Sequence, residues 1–383
     1  MTHAPPMPAW GGSPLTRQLR AGDLARVAAK VYAGEPLSRD DGLELYRTQD
    51  LIGLGHLAGL VRERLHGRRA SYVVNAHLNP TNVCRHRCAF CAFAAPPGSP
   101  RGYDMDDREI EDRLRALGAQ GVREIHMVGG VHPGWTYARY LDRVRLVRAT
   151  LPGVVIKAYT AVEIDEMARL SGHGYARVLS DLVDAGLGIL PGGGAEIFAP
   201  EIRRRICATK VDGAGWLAVH ATAHEMGLVT NATMLYGHVE RPEHKVDHLF
   251  QLRELQARAP VGGGFAAFVP LAFHPAGTRL DQVAHPTDRM ALREIAVARL
   301  LLDGVLHVTA YWVMIGKAMA QTALSMGASD LSGTVGEERI TYAAGGTSPR
   351  AMAATELWNL VLDAGYEPVE RDGLYRSVVG DAA

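Results

Sequence analysis

From residue 71 to about 334, short apolar runs alternate with longer amphipathic ones. The strand candidates are SYVVNAHL (71–78), EIHMVGG (124–130), VVIKAYT (154–160), LGILPGG (187–193), LVTNATMLYG (228–237), FAAFVPLAF (265–273) and VLHVTAYWV (305–313). A fainter one surrounds Asp330 to Thr334. Between them lie stretches with apolar residues at helical spacing, such as DREIEDRLRALGAQG and YARYLDRVRLVRATL. A strand–helix unit repeated about eight times predicts a parallel sheet. At this length the expected fold is an α/β (β/α)8 TIM-type barrel, full or nearly full. An open doubly wound sheet is disfavoured because no Gly-rich dinucleotide fingerprint follows the first strand. Residues 13 to about 70 also carry helical spacing, and Ser38 with Asp41 has the pattern of a capping box. The expected organisation is a helical extension over 1–70 with a short flexible lead, a barrel over 71–335, and a helical segment over 336–383 packed on the barrel.

Composition narrows the class of function. The chain has 383 residues, and its 41 acidic residues balance its 41 basic ones, which speaks against nucleic acid or an anionic membrane as the main partner. No apolar run reaches the roughly 18 residues that a spanning helix needs. The richest candidate, AVARLLLDGVLHVTAYWVMIG, is broken by Asp303 and His307. The expectation is a cytoplasmic protein, in which thiols stay reduced and clustered cysteines mean metal or redox chemistry more often than disulfides.

Polar residues and glycines gather where the strand candidates end. Asn79, Thr81 and Asn82 follow the first, and Gly129, Gly130 and His132 the second. Thr160 and Glu163 follow the third, and Gly192, Gly193, Gly194 and Glu196 the fourth. Tyr236, His238 and Glu240 follow the fifth, and His274 the sixth. Barrel enzymes place their chemistry at this end. The same bias in six loops points to a site there.

The most informative loop is NPTNVCRHRCAFCAF (79–93), with Cys84, Cys88 and Cys91 spaced C-x3-C-x2-C. Thiolates suit zinc or iron–sulfur clusters. Three readings compete. Zinc could take His86 as a fourth ligand, although four ligands in one tight loop are unlike the usual two separated pairs. An all-cysteine cluster could be completed by the distant Cys207, although a lone cysteine is more often a small buried hydrophobe. A 4Fe–4S cluster could take three thiolates and leave one iron open for a substrate, as an open zinc position does in a catalytic site. The third reading accounts for more of the loop. LPGGGAEIFAPEIRRRI (190–206) adds a carboxylate, Glu196, and a guanidinium, Arg203. Together these would suit the ammonium and carboxylate of a bound amino acid moiety.

C-x3-C-x-aromatic-C is the signature of radical S-adenosylmethionine enzymes. With KAYTAVEI (157–164), LPGGGAEIF (190–198), NATMLYGHVE (231–240) and RDGLYRSV (371–378), the chain from about residue 70 onward resembles the aminofutalosine synthase family of the futalosine route to menaquinone. Cyclic dehypoxanthinyl futalosine synthases and deazaflavin-forming radical enzymes share the cysteine loop and LPGGGAE and are the alternatives, with a zinc-binding or electron-transfer protein as the reading from another class. The resemblance implies Cys84, Cys88 and Cys91 on a 4Fe–4S cluster, with S-adenosylmethionine on the open iron. It places Phe90 against the adenine side, Gly129 and Gly130 near the methionine amino group, and Glu196 and Arg203 at the methionine end. It implies a transferase that adds the 5′-deoxyadenosyl radical to 3-[(1-carboxyvinyl)oxy]benzoate. Rearrangement and decarboxylation then give 6-amino-6-deoxyfutalosine. A low-potential flavodoxin or ferredoxin would be the electron donor. The substrate's two carboxylates ask for donors, for which His77, Thr160, His238, His274 and Arg279 are candidates. A dry site asks for lining groups such as Tyr236 and Phe268. Glu163 either orients and exchanges protons or caps the helix that follows.

Overall fold

The computed structural model of the chain describes residues 11 and 13–378. The flexible lead expected at the N-terminus falls mostly outside the described residues. Four helices come first: α1 (Pro14–Ala21), α2 (Ala25–Ala33), α3 (Arg39–Arg47) and α4 (Leu51–His66). The next elements are β1 (Arg69–Val73), β2 (Asn75–Leu78), α5 (Asp107–Gly118), β3 (Glu124–Met127), α6 (Tyr137–Thr150) and β4 (Val155–Ala158). Then come α7 (Ala161–Ser171), α8 (Tyr175–Ala185), β5 (Leu187–Ile189), α9 (Pro200–Ile206), α10 (Gly213–Glu225) and β6 (Val229–Tyr236). They are followed by α11 (Pro242–Arg258), β7 (Gly264–Ala272), α12 (Asp288–Leu301), β8 (His307–Val308), α13 (Trp312–Ile315) and α14 (Lys317–Leu324). The last are β9 (Asp330–Gly333), α15 (Ile340–Ala343), α16 (Ala354–Asp363) and β10 (Glu367–Arg371).

The ladders between these strands are all parallel: β2–β3–β4–β5, β6–β7–β8 and β9–β1–β10. Single bridges join the ladders into a ring. Leu190 meets Thr230 between β5 and β6, Thr309 meets Asp330 between β8 and β9, and Ala76 meets Gly336 beside β2. The result is a (β/α)8 barrel. Outward strand residues such as Ile125, Ile156 and Phe268 are fully buried beneath the surrounding helices.

The expected first strand is in fact two. It breaks at Val74, whose carbonyl accepts from the Arg123 N–H at 2.6 Å. Above the break β2 pairs with β3. Below it β3 has not yet begun, so β1 keeps a free edge, and β10 takes that edge in parallel register from Arg69↔Glu367 to Val73↔Arg371. The segment 336–383 is therefore not only helical. It contributes α15, α16 and a sheet strand, and its last described residues turn under the barrel. Gly373 lies so close to β4 that a Cβ there would sit 2.7 Å from the Cβ of Val155. Tyr375 reaches into the lumen, where its hydroxyl accepts from Asn231 Nδ2 on β6 at 2.8 Å.

The N-terminal helices lie against one side of the barrel, where α4 packs on α12 and α3 packs on α11 and α12. The capping box of α3 is formed: Asp41 N–H donates to Ser38 Oγ at 3.2 Å, and Ser38 N–H donates to the Asp41 carboxylate at 2.7 Å. Arg62 of α4 is fully buried, gives hydrogen bonds to the carbonyls of Ala328, Gly67 and Arg69, and lies 4.0 Å from the Tyr366 ring centroid. It ties the extension to both ends of the β1 neighbourhood.

Candidate active site

Strand alternation decides which residues face the lumen. Asn75 and His77 of β2, Glu124 and His126 of β3, and Lys157 of β4 line one cavity of about 350 Å³. So do Asn231, Thr233 and Leu235 of β6, and Val269 and Leu271 of β7. The same cavity reaches up to Cys84, Cys88 and Cys91 and down to Arg371 and Tyr375. It is a shaft from the cysteine loop to the C-terminal tail.

The cysteine loop is held by its backbone. Cys84 N–H donates to Ala95 O at 2.9 Å, Ala89 N–H to Ile206 O at 2.6 Å, and Arg85 N–H to Val131 O at 2.9 Å. Val131 N–H also points at Cys84 Sγ, 3.4 Å away, the kind of contact that stabilises a thiolate or a cluster sulfur ligand. Burial pushes all three thiols up, Cys88 to about 12 against the lowering effect of Lys210. Cys91 acts electrostatically on Cys88 and Cys84 on Cys91. Among the described residues no three His, Cys, Asp or Glu side chains converge on a point that could hold a single metal ion. Zinc would need its thiolates only about 4 Å apart, given Zn–S bonds of about 2.3 Å. Three cavity-facing thiols that share a lumen without meeting at one point fit a larger cluster, each thiol taking a different iron. His86, the fourth ligand of the zinc reading, is not gathered with the three thiols into a single-ion site. It is half-buried on the cavity rim, with Nδ1 3.2 Å from Thr209 Oγ1. Cys207 is buried beneath α9 among apolar residues and does not line the cavity.

Around the thiols the expected cofactor contacts divide. Phe90, Gly129 and Glu196 line the cavity. Gly130 does not: a Cβ there would lie 2.3 Å from Val83 O, so this glycine lets the cysteine loop pack against the turn after β3. Arg203 is also corrected. Its guanidinium is buried under the Gly-rich loop and donates to the carbonyls of Ala195, at 2.6 Å, and Val211. Its two terminal nitrogens serve the loop's own carbonyls, and the side chain does not line the cavity. The cation that faces the cavity beside the thiols is Lys210, which no motif singled out. It is ion-paired with Glu196 and lies 5.1 Å from the Phe90 ring centroid. Burial opposes its charge, but Glu196 and the thiols of Cys88 and Cys207 outweigh that and hold its pKa above the usual lysine range. Glu196 has φ +47°, a left-handed backbone unusual for a non-glycine residue. Such strain marks functional turns, and here it accompanies a side chain turned to the lumen.

Thr160 and Glu163 both line the cavity and both cap α7. Glu163 accepts from Thr160 N–H at 2.7 Å, Thr160 Oγ1 at 2.9 Å and Gly129 N–H at 3.1 Å. Burial raises its pKa to about 7, with those three donors pulling it back down. His77 and His274 line the cavity as expected. Tyr236, His238, Phe268 and Arg279 do not. Asn231, Thr233 and Leu235 face inward, so Tyr236 faces outward, onto Ala291 of α12. Phe268 is turned outward by the same parity, between Ala267 and Val269 on β7. His238 folds back on its own turn, with Nε2 3.0 Å from Leu235 O and Nδ1 3.2 Å from the Glu240 carboxylate. Arg279 is exposed and braces the cysteine loop by donating to Arg87 O.

Sequence reasoning missed Lys157, Glu124, His126, Asp330, Arg371 and Tyr375. Lys157 and Glu124 form a buried pair at 2.7 Å, and Arg371 pairs with Asp330 at 2.6 Å. The available signal was a charged residue at an inward position of an otherwise apolar strand, as in VVIKAYT.

Comparison with known proteins shows what the chain as a whole is similar to. Residues 78–252 match the sequence profile of the Radical SAM superfamily, and residues 262–379 match that of the CofH/MqnC C-terminal region. The chain is 44% identical over 366 residues to aminodeoxyfutalosine synthase of Thermus thermophilus, covering 94% of this chain and 98% of the relative. Against the enzyme of the same name from Streptomyces coelicolor it is 42% identical, covering 93% and 94%. It is also 36% identical to 5-amino-6-(D-ribitylamino)uracil–L-tyrosine 4-hydroxyphenyl transferase of Methanopyrus kandleri, covering 83% and 86%. Among solved structures, methylornithine synthase shares the fold with TM-score 0.71 at 18% identity, covering 90% of this chain and 97% of that one. The hydrogenase maturase HydG of Carboxydothermus hydrogenoformans does so with TM-score 0.72 at 16% identity, covering 94% and 83%.

Proposed function

The chain belongs to the aminodeoxyfutalosine synthase family of radical S-adenosylmethionine enzymes, and from that premise we propose that it joins the adenosyl group of S-adenosylmethionine to 3-[(1-carboxyvinyl)oxy]benzoate. Rearrangement and loss of the carboxylate then give 6-amino-6-deoxyfutalosine. The chain is a transferase of radical type that uses a 4Fe–4S cluster and S-adenosylmethionine. When bound, that pair supplies a 5′-deoxyadenosyl radical.

The observation that carries the reading is the single shaft linking the three thiols to a polar lumen closed below by the chain's own tail. A reaction that adds a radical to a second substrate needs both ligands in one water-excluding space. Cys84, Cys88 and Cys91 hold the cluster at the top. Lys210 and Glu196 beside Phe90 suit the charged end of S-adenosylmethionine. Thr160, Glu163 and Gly129 form a hydrogen-bonded rim, and Glu163 is the carboxyl there able to hold or release a proton near neutrality. Leu235, Val269 and Leu271 give an apolar wall. A small-molecule substrate fits such a shaft, with a low-potential flavodoxin or ferredoxin as the proposed electron donor and the cytoplasm as the proposed location. Among the described residues no helix is long and apolar enough to cross a membrane.

The match to the CofH/MqnC C-terminal profile supports a second reading, in which the chain cyclises or arylates another substrate. One assay separates them. Anaerobically reconstituted protein is incubated with S-adenosylmethionine, dithionite and the enol ether. Mass-spectrometric detection of a decarboxylated adenosyl adduct is expected. Free 5′-deoxyadenosine with the enol ether unchanged sinks the first reading.

A further inference from the structure

The proposed substrate is a dianion, yet the cations of the shaft already have partners. Lys157 is matched by Glu124, Arg371 by Asp330 and Lys210 by Glu196. Each of these acids is buried, so a cation drawn away to a ligand would leave an unpaired buried carboxylate, which is strongly destabilising. The donors for the substrate therefore have to come from neutral groups.

Two such groups stand together. His77 on β2 and His126 on β3 are register partners, and His126 is the register partner of Lys157 on β4. All three side chains point into the lumen, so they form one row across three adjacent strands. The imidazole centroids are 4.6 Å apart. No hydrogen bond to either ring occurs among the described residues, although His77 is 6% exposed and its Nδ1 is buried without a partner. Polar groups in such places are normally satisfied, and a buried N–H without an acceptor is the rarer and costlier failure. That assigns the His77 proton to Nε2, the nitrogen not sealed against protein. His126 keeps surface open onto the cavity. Burial is the main influence on both rings and keeps them neutral at pH 7, His77 with its pKa near 4. In an eight-stranded ring β2 stands across from β6 and β3 across from β7. The wall facing the two imidazoles is thus Thr233, Leu235, Val269 and Leu271. One wall donates hydrogen bonds and the other is mostly apolar, an arrangement that fits a flat aromatic ring carrying an acid at one edge.

We propose that His77 and His126 seat a carboxylate of the aromatic substrate, each donating an N–H to it, with Lys157 fixed behind them as the end of the row. The assignment to this substrate rests on the reaction proposed above; the preference for an aromatic acid follows from the two walls alone.

The test uses the holoenzyme with cluster and S-adenosylmethionine bound. Dissociation constants for 3-hydroxybenzoate and 3-hydroxybenzamide are measured by calorimetry in the wild type, His77→Gln and His126→Gln. Iron content and circular dichroism serve as folding readouts. The wild type is expected to favour the acid about tenfold or more, the scale of one charge-assisted hydrogen bond, and each variant to bring the two ligands within about threefold. A preference absent from the wild type, or intact in both variants, overturns the seat. If a variant fails to load its cluster, a co-crystal structure of the wild type with 3-hydroxybenzoate decides. A carboxylate on the two imidazoles supports the proposal, and a carboxylate on any other wall rejects it. Turnover of the enol ether is followed in parallel. No adduct with a histidine-dependent acid preference rejects the reaction and keeps the seat. Adduct formation with the preference intact in both variants does the reverse.

Discussion

Cys84, Cys88 and Cys91 differ from Cys207 in what lies beyond the sulfur: the first three face the shaft and the fourth faces the core under α9. Alanine at any of the first three is expected to abolish the cluster, read as loss of bound iron and of the cluster's visible colour. Cys207→Ala is expected to keep both and to cost about 1 kcal/mol or somewhat more of stability as a small cavity. Arg203 and Lys210 show how residue type alone misleads. Both lie near the glycine loop, and the guanidinium looked the better clamp, but it faces the loop's own carbonyls. Arg203→Met should therefore lower the melting temperature while the folded enzyme keeps its KM for S-adenosylmethionine. Glu163 gives a pH signature. Its folded pKa, near 7, lies above the ordinary glutamate value of 4.5, so the folded state holds the proton more tightly. Its contribution is fully present below about pH 4.5 and fades as pH rises through 7. Urea titrations from pH 5 to 8 should show wild-type stability falling relative to Glu163→Gln, and parallel curves would contradict this. The side chains legible in the sequence were those with unusual spacing. Lys157 and His126 were not, because one polar residue in a short strand announces itself only once parity and barrel closure are known.

Among the elements, the helix starts were the most legible. Ser38 and Asp41 form the anticipated box because the pattern is local and needs no tertiary partner. Burial works to raise the Asp41 pKa, yet Lys30, Ser38 and Arg26 hold it down at about 2. This contribution to stability is present above about pH 4 and lost as pH falls toward 2. Ser38→Ala is expected to cost about 1 kcal/mol, measured as a shift in the urea midpoint with the slope unchanged. The strands were visible as apolar runs, but their ends were not. SYVVNAHL reads as one strand because its polarity is continuous; its division at Val74 comes from two different neighbours, β10 below and β3 above. A pattern within one segment carries no record of which strand will take its edge.

At the scale of the molecule, repetition of strand and helix pointed to a parallel α/β fold, and the missing Gly-rich fingerprint after the first strand favoured the barrel over an open doubly wound sheet. The role of the last segment was hidden, because RDGLYRSV has the polarity of a loop and acts as a floor. Tyr375 meets Asn231 above it and the Arg371 guanidinium, 3.8 Å from its ring centroid, beside it. Tyr375→Ala is expected to destabilise the protein by about 3 kcal/mol or more and to let water into the shaft. Reductive cleavage that is not coupled to product would then rise, measured as 5′-deoxyadenosine released per adduct formed. Tyr375→Phe keeps the ring as a floor but leaves Asn231 Nδ2 without its acceptor, so it should cost about 1–3 kcal/mol while the ratio of 5′-deoxyadenosine to adduct stays near the wild type. The position of this tyrosine also sets an order of events during synthesis. All eight barrel strands, β2 to β9, and all three cluster cysteines are made before the piece that shuts the lumen. A premature stop codon at position 372 would not trim an idle tail. It would release a protein whose radical chemistry has no bottom to its vessel.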